Sequence, residues 1–83
     1  MPKILVGKVK HFYSKVGVAT VELFEELATG DTVSIEKDGT AVEQKVMNIQ
    51  IEHANVDKAS SGNSVGIKTE HEVKEGSDVY KIV

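Results

Sequence analysis

The chain has 83 residues, 40% of them apolar, with seven glycines, one proline, no cysteine and a net charge of −3. It makes one domain near the lower end of what folds alone, burying only roughly 60–65% of its unfolded surface, and without cysteine it has neither disulfide staples nor thiolate metal sites. No apolar run reaches the length of a signal sequence or a membrane span, so a cytoplasmic protein without membrane contact is expected.

The apolar residues alternate more often than they follow a helical period. Residues 4–12 form a first predicted strand. In 17–24, Ala19, Val21 and Leu23 share one face against Val18, Thr20 and Glu22. The following stretch, 21–30, would also suit one or two helical turns. The β-branched run before it favours a strand passing into a loop. In 31–39, Val33 and Ile35 point opposite Ser34 and Glu36, and Asp38-Gly39 is a tight-turn pair. The chain returns through 41–53, where Val42 and Val46 are in one phase and Met47, Ile49 and Ile51 in the other. This switch predicts a bulge or bend near Val46-Met47. Residues 64–70, with Val65 and Ile67 inward, and 78–83 complete six strands. Val33, Ile35, Met47, Ile49, Ile51, Val65 and Ile67 are the expected core.

Three glycines share one context. Gly30, Gly62 and Gly76 each precede a strand, and a valine follows three residues later. Their separations differ, so they mark no repeat. They predict one backbone corner used three times, where only glycine turns without strain. Six short strands with no long helix predict an all-β fold, a small six-stranded closed β-barrel.

Charge is unevenly placed. Residues 1–21 hold Lys3, Lys8, Lys10 and Lys15 and no acid, whereas the remaining six lysines face thirteen acids, a net −7. Arginine is absent, which argues against base-specific DNA recognition, since bidentate readout favours that side chain. Within 8–16, Lys8, Lys10 and Lys15 interleave with His11, Phe12 and Tyr13. Cations that track phosphates beside rings that stack bases make a single-stranded nucleic-acid platform. Lys8, Lys10, Tyr13 and Lys15 are therefore the candidate RNA contacts. The plainer reading is a solvated strand with one ring in the core.

The order of short motifs carries a family resemblance: Val-Gly-x-Val at 6–9, Gly-Asp-x-Val at 30–33, Ile-Gln-Ile at 49–51, Ala-x-x-Gly-x-x-Val-Gly at 59–66 and Gly-x-x-Val-Tyr-Lys at 76–81. Together they cover nearly the whole chain. The set resembles the second, β-barrel domain of translational GTPases such as elongation factor Tu and initiation factor two, and free-standing elongation-factor-like proteins built from that domain. It departs at Ser77, where those relatives carry aspartate, and at Lys8, where arginine is frequent. Residues 13–23 are also similar to the opening of the C-terminal barrel of collagenase-like peptidases that act in RNA modification. The first resemblance implies a translation-protein barrel. It would be a non-catalytic, stand-alone binding module contacting tRNA, rRNA or a translation-associated protein, as a monomer or weak homo-oligomer. The second implies an accessory module for a peptidase-like or RNA-modifying enzyme.

Other chemistry finds little support. No Gly-x-x-x-x-Gly-Lys-Ser/Thr loop is present, so the chain carries no GTPase site. Asp57-Lys58-Ala59 matches the attachment lysine of lipoyl carriers. Lys58 runs directly into the 59–64 corner, however, instead of lying on a hairpin tip, so a surface lysine is the better reading. His11, His53 and His71 lack metal-ligand spacing. Ser14, Ser60, Ser61 and Ser64 lack the turn context and the base of a nucleophile. No cofactor, metal or catalytic residue is expected.

Overall fold

A computed structural model describes residues 2–83. Ten strands are formed: β1 (Lys3–Tyr13), β2 (Val18–Leu23), β3 (Leu27–Ala28), β4 (Thr32–Lys37), β5 (Thr40–Lys45), β6 (Ile49–Ile51), β7 (Ala54–Val56), β8 (Lys58–Ala59), β9 (Ser64–Lys68) and β10 (Asp78–Ile82). Eight pair antiparallel in the order β5-β4-β10-β1-β2-β9-β6-β7, and β3 with β8 forms a small second sheet. The domain is all-β, as the alternation predicts, and residues 21–30 leave β2 for a loop without a helical turn, then form the short β3.

The expected closed six-stranded barrel is not what forms. The large sheet ends at β5 and β7, and no ladder joins these edges. Residues 41–53 are not one strand, because the chain leaves the ladder after Lys45. Val46 turns its backbone to the corner at 28–31: its N–H donates to Asp31 O (2.8 Å) and its carbonyl accepts from Gly30 N–H (2.8 Å). Beyond that bend β6 joins β9, pairing Ile49 with Ile67. One side chain spans the seam. Gln44 is buried, its Nε2 donates to Lys68 O (3.0 Å), and its Oε1 accepts from Glu70 N–H (3.0 Å). The amide thus does for one residue what a strand ladder would do along a whole edge.

The three glycine corners are one structure. Residues 28–31, 60–63 and 74–77 are four-residue turns closed by backbone bonds of 3.1–3.2 Å from the fourth N–H to the first carbonyl. Gly30, Gly62 and Gly76 occupy the third position with φ of 92, 91 and 85°, which only glycine adopts cheaply. Asp31 Oδ2 and Asn63 Oδ1 accept from the first residue's N–H (both 2.9 Å), whereas Ser77 Oγ donates to the first residue's carbonyl (2.6 Å). Serine at the third corner therefore reverses the direction of that bond while keeping the turn. Val33, Val65 and Val79, three residues past each glycine, are all buried.

The core gathers these valines with Val6, Val9, Ala19, Val21, Leu23, Leu27, Ile35, Ile49 and Ile67. Five of the seven expected residues are buried, and Ile51 packs against the cluster from its edge. Met47 is the correction, at 73% exposed. The fully buried Val46 takes the interior position instead, because its backbone bonds to the corner aim its side chain inward.

Candidate functional site: the outer face of β1 and the groove beside it

β1 places Lys8, Lys10, His11 and Tyr13 on the exposed surface. The residues between them alternate inward until a bulge against β2, between Val9 and His11, shifts the phase. Tyr13 stacks edge-on against His11, with ring centroids 4.3 Å apart and planes at 64°. Lys15 lies apart from them in the turn at 14–17. The structure therefore brings three of the four candidate contacts onto one strand face and leaves Lys15 at its end.

Their charge is not free, however. Lys8 sits in register between Glu22 on β2 and Asp78 on β10. Lys10 Nζ is 3.1 Å from Glu22 Oε1, and His11 Nδ1 meets the Glu75 carboxylate. The run that is basic in sequence is flanked by acids in space at Lys8, Lys10 and His11, so the phosphate-attracting field that singled it out is partly compensated.

A wide recess lies beside this face, on the outer surface of the sheet. It is a groove of about 660 Å³ that crosses β2, β9 and β6. Tyr13 and Val16, 52% and 62% exposed, form one wall from the β1–β2 turn. Glu52 and His53, the two turn residues between β6 and β7, form the other. Gly66 lies in the floor, paired with Thr20 on β2 and Gln50 on β6. Its lack of a side chain keeps the floor low and leaves room for Val18, whose Cγ1 would come within 3.3 Å of a β-carbon there.

The second wall is strained. Glu52 and His53 have φ of 50 and 68°, a left-handed conformation that costs residues with side chains about 1–2 kcal/mol each. A two-residue hairpin of this type ordinarily uses Asn-Gly or Asp-Gly. Nothing in the alternation around 49–56 marks Glu-His as a turn, so sequence reasoning passed over this wall. Gly66 inside a predicted strand was the available signal, since glycine there weakens the strand or admits a close neighbour.

The remaining candidates are scattered. Lys58 lies in the two-residue β8, opposite Ala28, with its Nζ 3.8 Å from Glu26 Oε2. Among the described residues no three metal-ligating side chains come together, and no helix is long and apolar enough to cross a membrane. A smaller recess of about 430 Å³ lies at the seam, between Gln44, Met47 and Lys68.

No family model matches the chain. In sequence it is 46% identical over 79 residues to an "Uncharacterized protease" of Methanocaldococcus jannaschii, which covers 94% of this chain and 19% of that protein. It is 36% identical over 81 residues to a Collagenase of Porphyromonas gingivalis, covering 95% of this chain and 20% of the other. In structure it superposes on the C-terminal domain of a Geobacillus thermoleovorans protein assigned to the U32 peptidases. The TM-score is 0.89 at 20% identity, over 96% of this chain and 93% of that one. The fold is thus shared with that all-β C-terminal domain. By sequence, the likeness is to a segment of collagenase-like proteases, and the chain spans about a fifth of the length of these relatives. The reading that placed translational GTPase barrels first is overturned by these matches, and with it the role in translation. The short motifs shared with those barrels specify corners and strand starts, which two families can build alike.

Proposed function

We propose that this chain is a non-catalytic accessory domain that binds protein and works with a collagenase-like peptidase body. The observation that carries the reading is the match at 46% identity over 94% of this chain to only 19% of a protease. The other four-fifths of such a relative is the part with room for a catalytic apparatus. The residues of this chain support the same division. Its buried polar side chains, such as Gln44 and Ser77, are used in backbone bonds that hold the fold, and its histidines lie apart.

Affinity capture from native lysate, with and without RNase, tests the proposal. The expected result is a collagenase-like peptidase retained after RNase treatment, and no gelatin hydrolysis by the purified chain alone. Capture limited to RNA-dependent partners, or hydrolysis by the chain alone, would contradict it.

A further inference from the structure

We propose that the groove between Tyr13 and the Glu52–His53 turn is a recognition site for an extended polypeptide segment in which an apolar side chain is followed by a lysine or arginine. The inference deepens the reading of the chain as a protein-binding domain and rests on it for the nature of the partner.

The dimensions favour one extended chain. From β1 to β6 the floor spans three inter-strand spacings, about 14 Å between backbones. The Tyr13 and Glu52 side chains take up part of that width, and a helix of about 10–12 Å diameter would nearly fill all of it, so an extended chain is the better fit. The volume of about 660 Å³ lies within the range of ligand sites. The Val18 side chain, lying against the bare backbone of Gly66, makes the floor a seat for an apolar side chain. Tyr13 and Val16, both more than half exposed, have apolar surface to cover. Gln50, Ser64 and Thr20 on the same floor can serve the peptide groups of an incoming chain.

Charge selects the neighbouring residue. Glu52 stands at the rim, and none of the ion pairs formed among the described residues uses it. A cation following the apolar side chain would be its partner. The same carboxylate disfavours a phosphate backbone, so the groove takes peptide in preference to RNA. Its two wall residues are held in a left-handed turn that their side chains disfavour, a kind of strain that concentrates at ligand clamps and active sites.

The test is a titration of the full chain, isotopically labelled, with the blocked pentapeptide Ala-Val-Leu-Lys-Ala, followed by amide NMR shifts. A second peptide carries glutamate in place of lysine, and oligouridylate serves as the nucleic-acid arm. Shifts should concentrate at Tyr13, Val16, Gln50, Glu52 and Gly66. The lysine peptide should bind about three- to five-fold more tightly than the glutamate peptide, the scale of one exposed ion pair. Glu52→Gln should erase that preference while leaving the rest of the spectrum in place. Gly66→Val should block binding by filling the floor; its β-carbon would lie 3.3 Å from Val18 Cγ1 with no backbone closer than 3.9 Å. Tyr13→Ala is a second probe should that variant fold poorly.

Shifts outside the groove, indifference to the charge of the peptide, or stronger binding of oligouridylate would overturn the proposal. So would shifts that follow protein concentration without peptide, which would assign the groove to a second copy. Peptide binding without capture of a peptidase would uphold the groove and reject the accessory role. Capture of a peptidase undiminished by Tyr13→Ala, with no peptide binding, would do the reverse.

Discussion

Two hairpins of this domain turn through the same geometry with different residues. Between β4 and β5, Asp38 and Gly39 take φ of 52 and 82°; between β6 and β7, Glu52 and His53 take 50 and 68°. Both turns join directly paired residues, Lys37 with Thr40 and Ile51 with Ala54. Asp-Gly meets the demand of that turn at little cost, whereas Glu-His meets it against the preference of both side chains. The first turn is explained by folding alone. The second keeps two long polar side chains where folding would choose Asn-Gly, and it walls a groove of about 660 Å³, against a recess of about 290 Å³ beside the first turn. Residue choice that the fold does not favour is where a functional demand is read most directly.

Substitutions can break or sharpen this comparison. The largest effect should come from a steric control outside either turn. A β-carbon at Gly7 would fall 2.6 Å from Glu22 O and 2.8 Å from Val21 Cγ1. Gly7→Ala should therefore destabilise by about 2–3 kcal/mol, the cost of overpacking against backbone that cannot move away, as read by denaturant unfolding. Gly39→Val comes next. Space at that position is open, so only the left-handed φ penalises it, by about 1–2 kcal/mol. A loss as large as that of Gly7→Ala would show that conformational strain alone does not describe the first turn.

At the second turn the sign should reverse. Replacing Glu52 by asparagine and His53 by glycine should stabilise by about 1 kcal/mol, raising the melting temperature by roughly 4–8 °C in a domain of this size. The smallest effect is a pH dependence far from both turns. Lys3 Nζ lies 2.7 Å from Glu36 Oε2, which also accepts from Ser34 Oγ at 2.8 Å. The hydrogen bond from Lys3 and then that from Ser34 hold the Glu36 carboxyl below its ordinary range, and the same bond raises the Lys3 ammonium. A carboxyl depressed on folding contributes stability above its unfolded pKa, and that contribution fades as pH falls through the folded value. Glu36→Gln should flatten the acid limb of the stability profile slightly and leave the plateau shape near neutrality unchanged.

Much of the fold was legible in local pattern. The glycine corners and the inward phase of Val33, Ile35, Val65 and Ile67 follow from turn chemistry and alternation within a few residues. What was not legible depends on contacts between distant segments. The bend near Val46-Met47 could be placed, but which of the two side chains turns inward is set by bonds to residues 30 and 31. An open seam bridged by Gln44 looks the same in sequence as a closed barrel. The basic run of β1 looked free because its compensating acids, Glu22, Glu75 and Asp78, come from other parts of the chain. The groove was missed for a related reason: its walls are two turns far apart in sequence, and its floor is marked only by Gly66.

The most direct test joins stability to recognition in one double variant, Glu52→Asn with His53→Gly. Its melting temperature and its NMR titration with the Leu-Lys pentapeptide should be measured beside those of the parent chain. The account predicts a more stable domain with its amide spectrum otherwise intact and with peptide binding weakened and no longer selective for the cation. A variant that is no more stable, or one that binds and discriminates as the parent does, would contradict it.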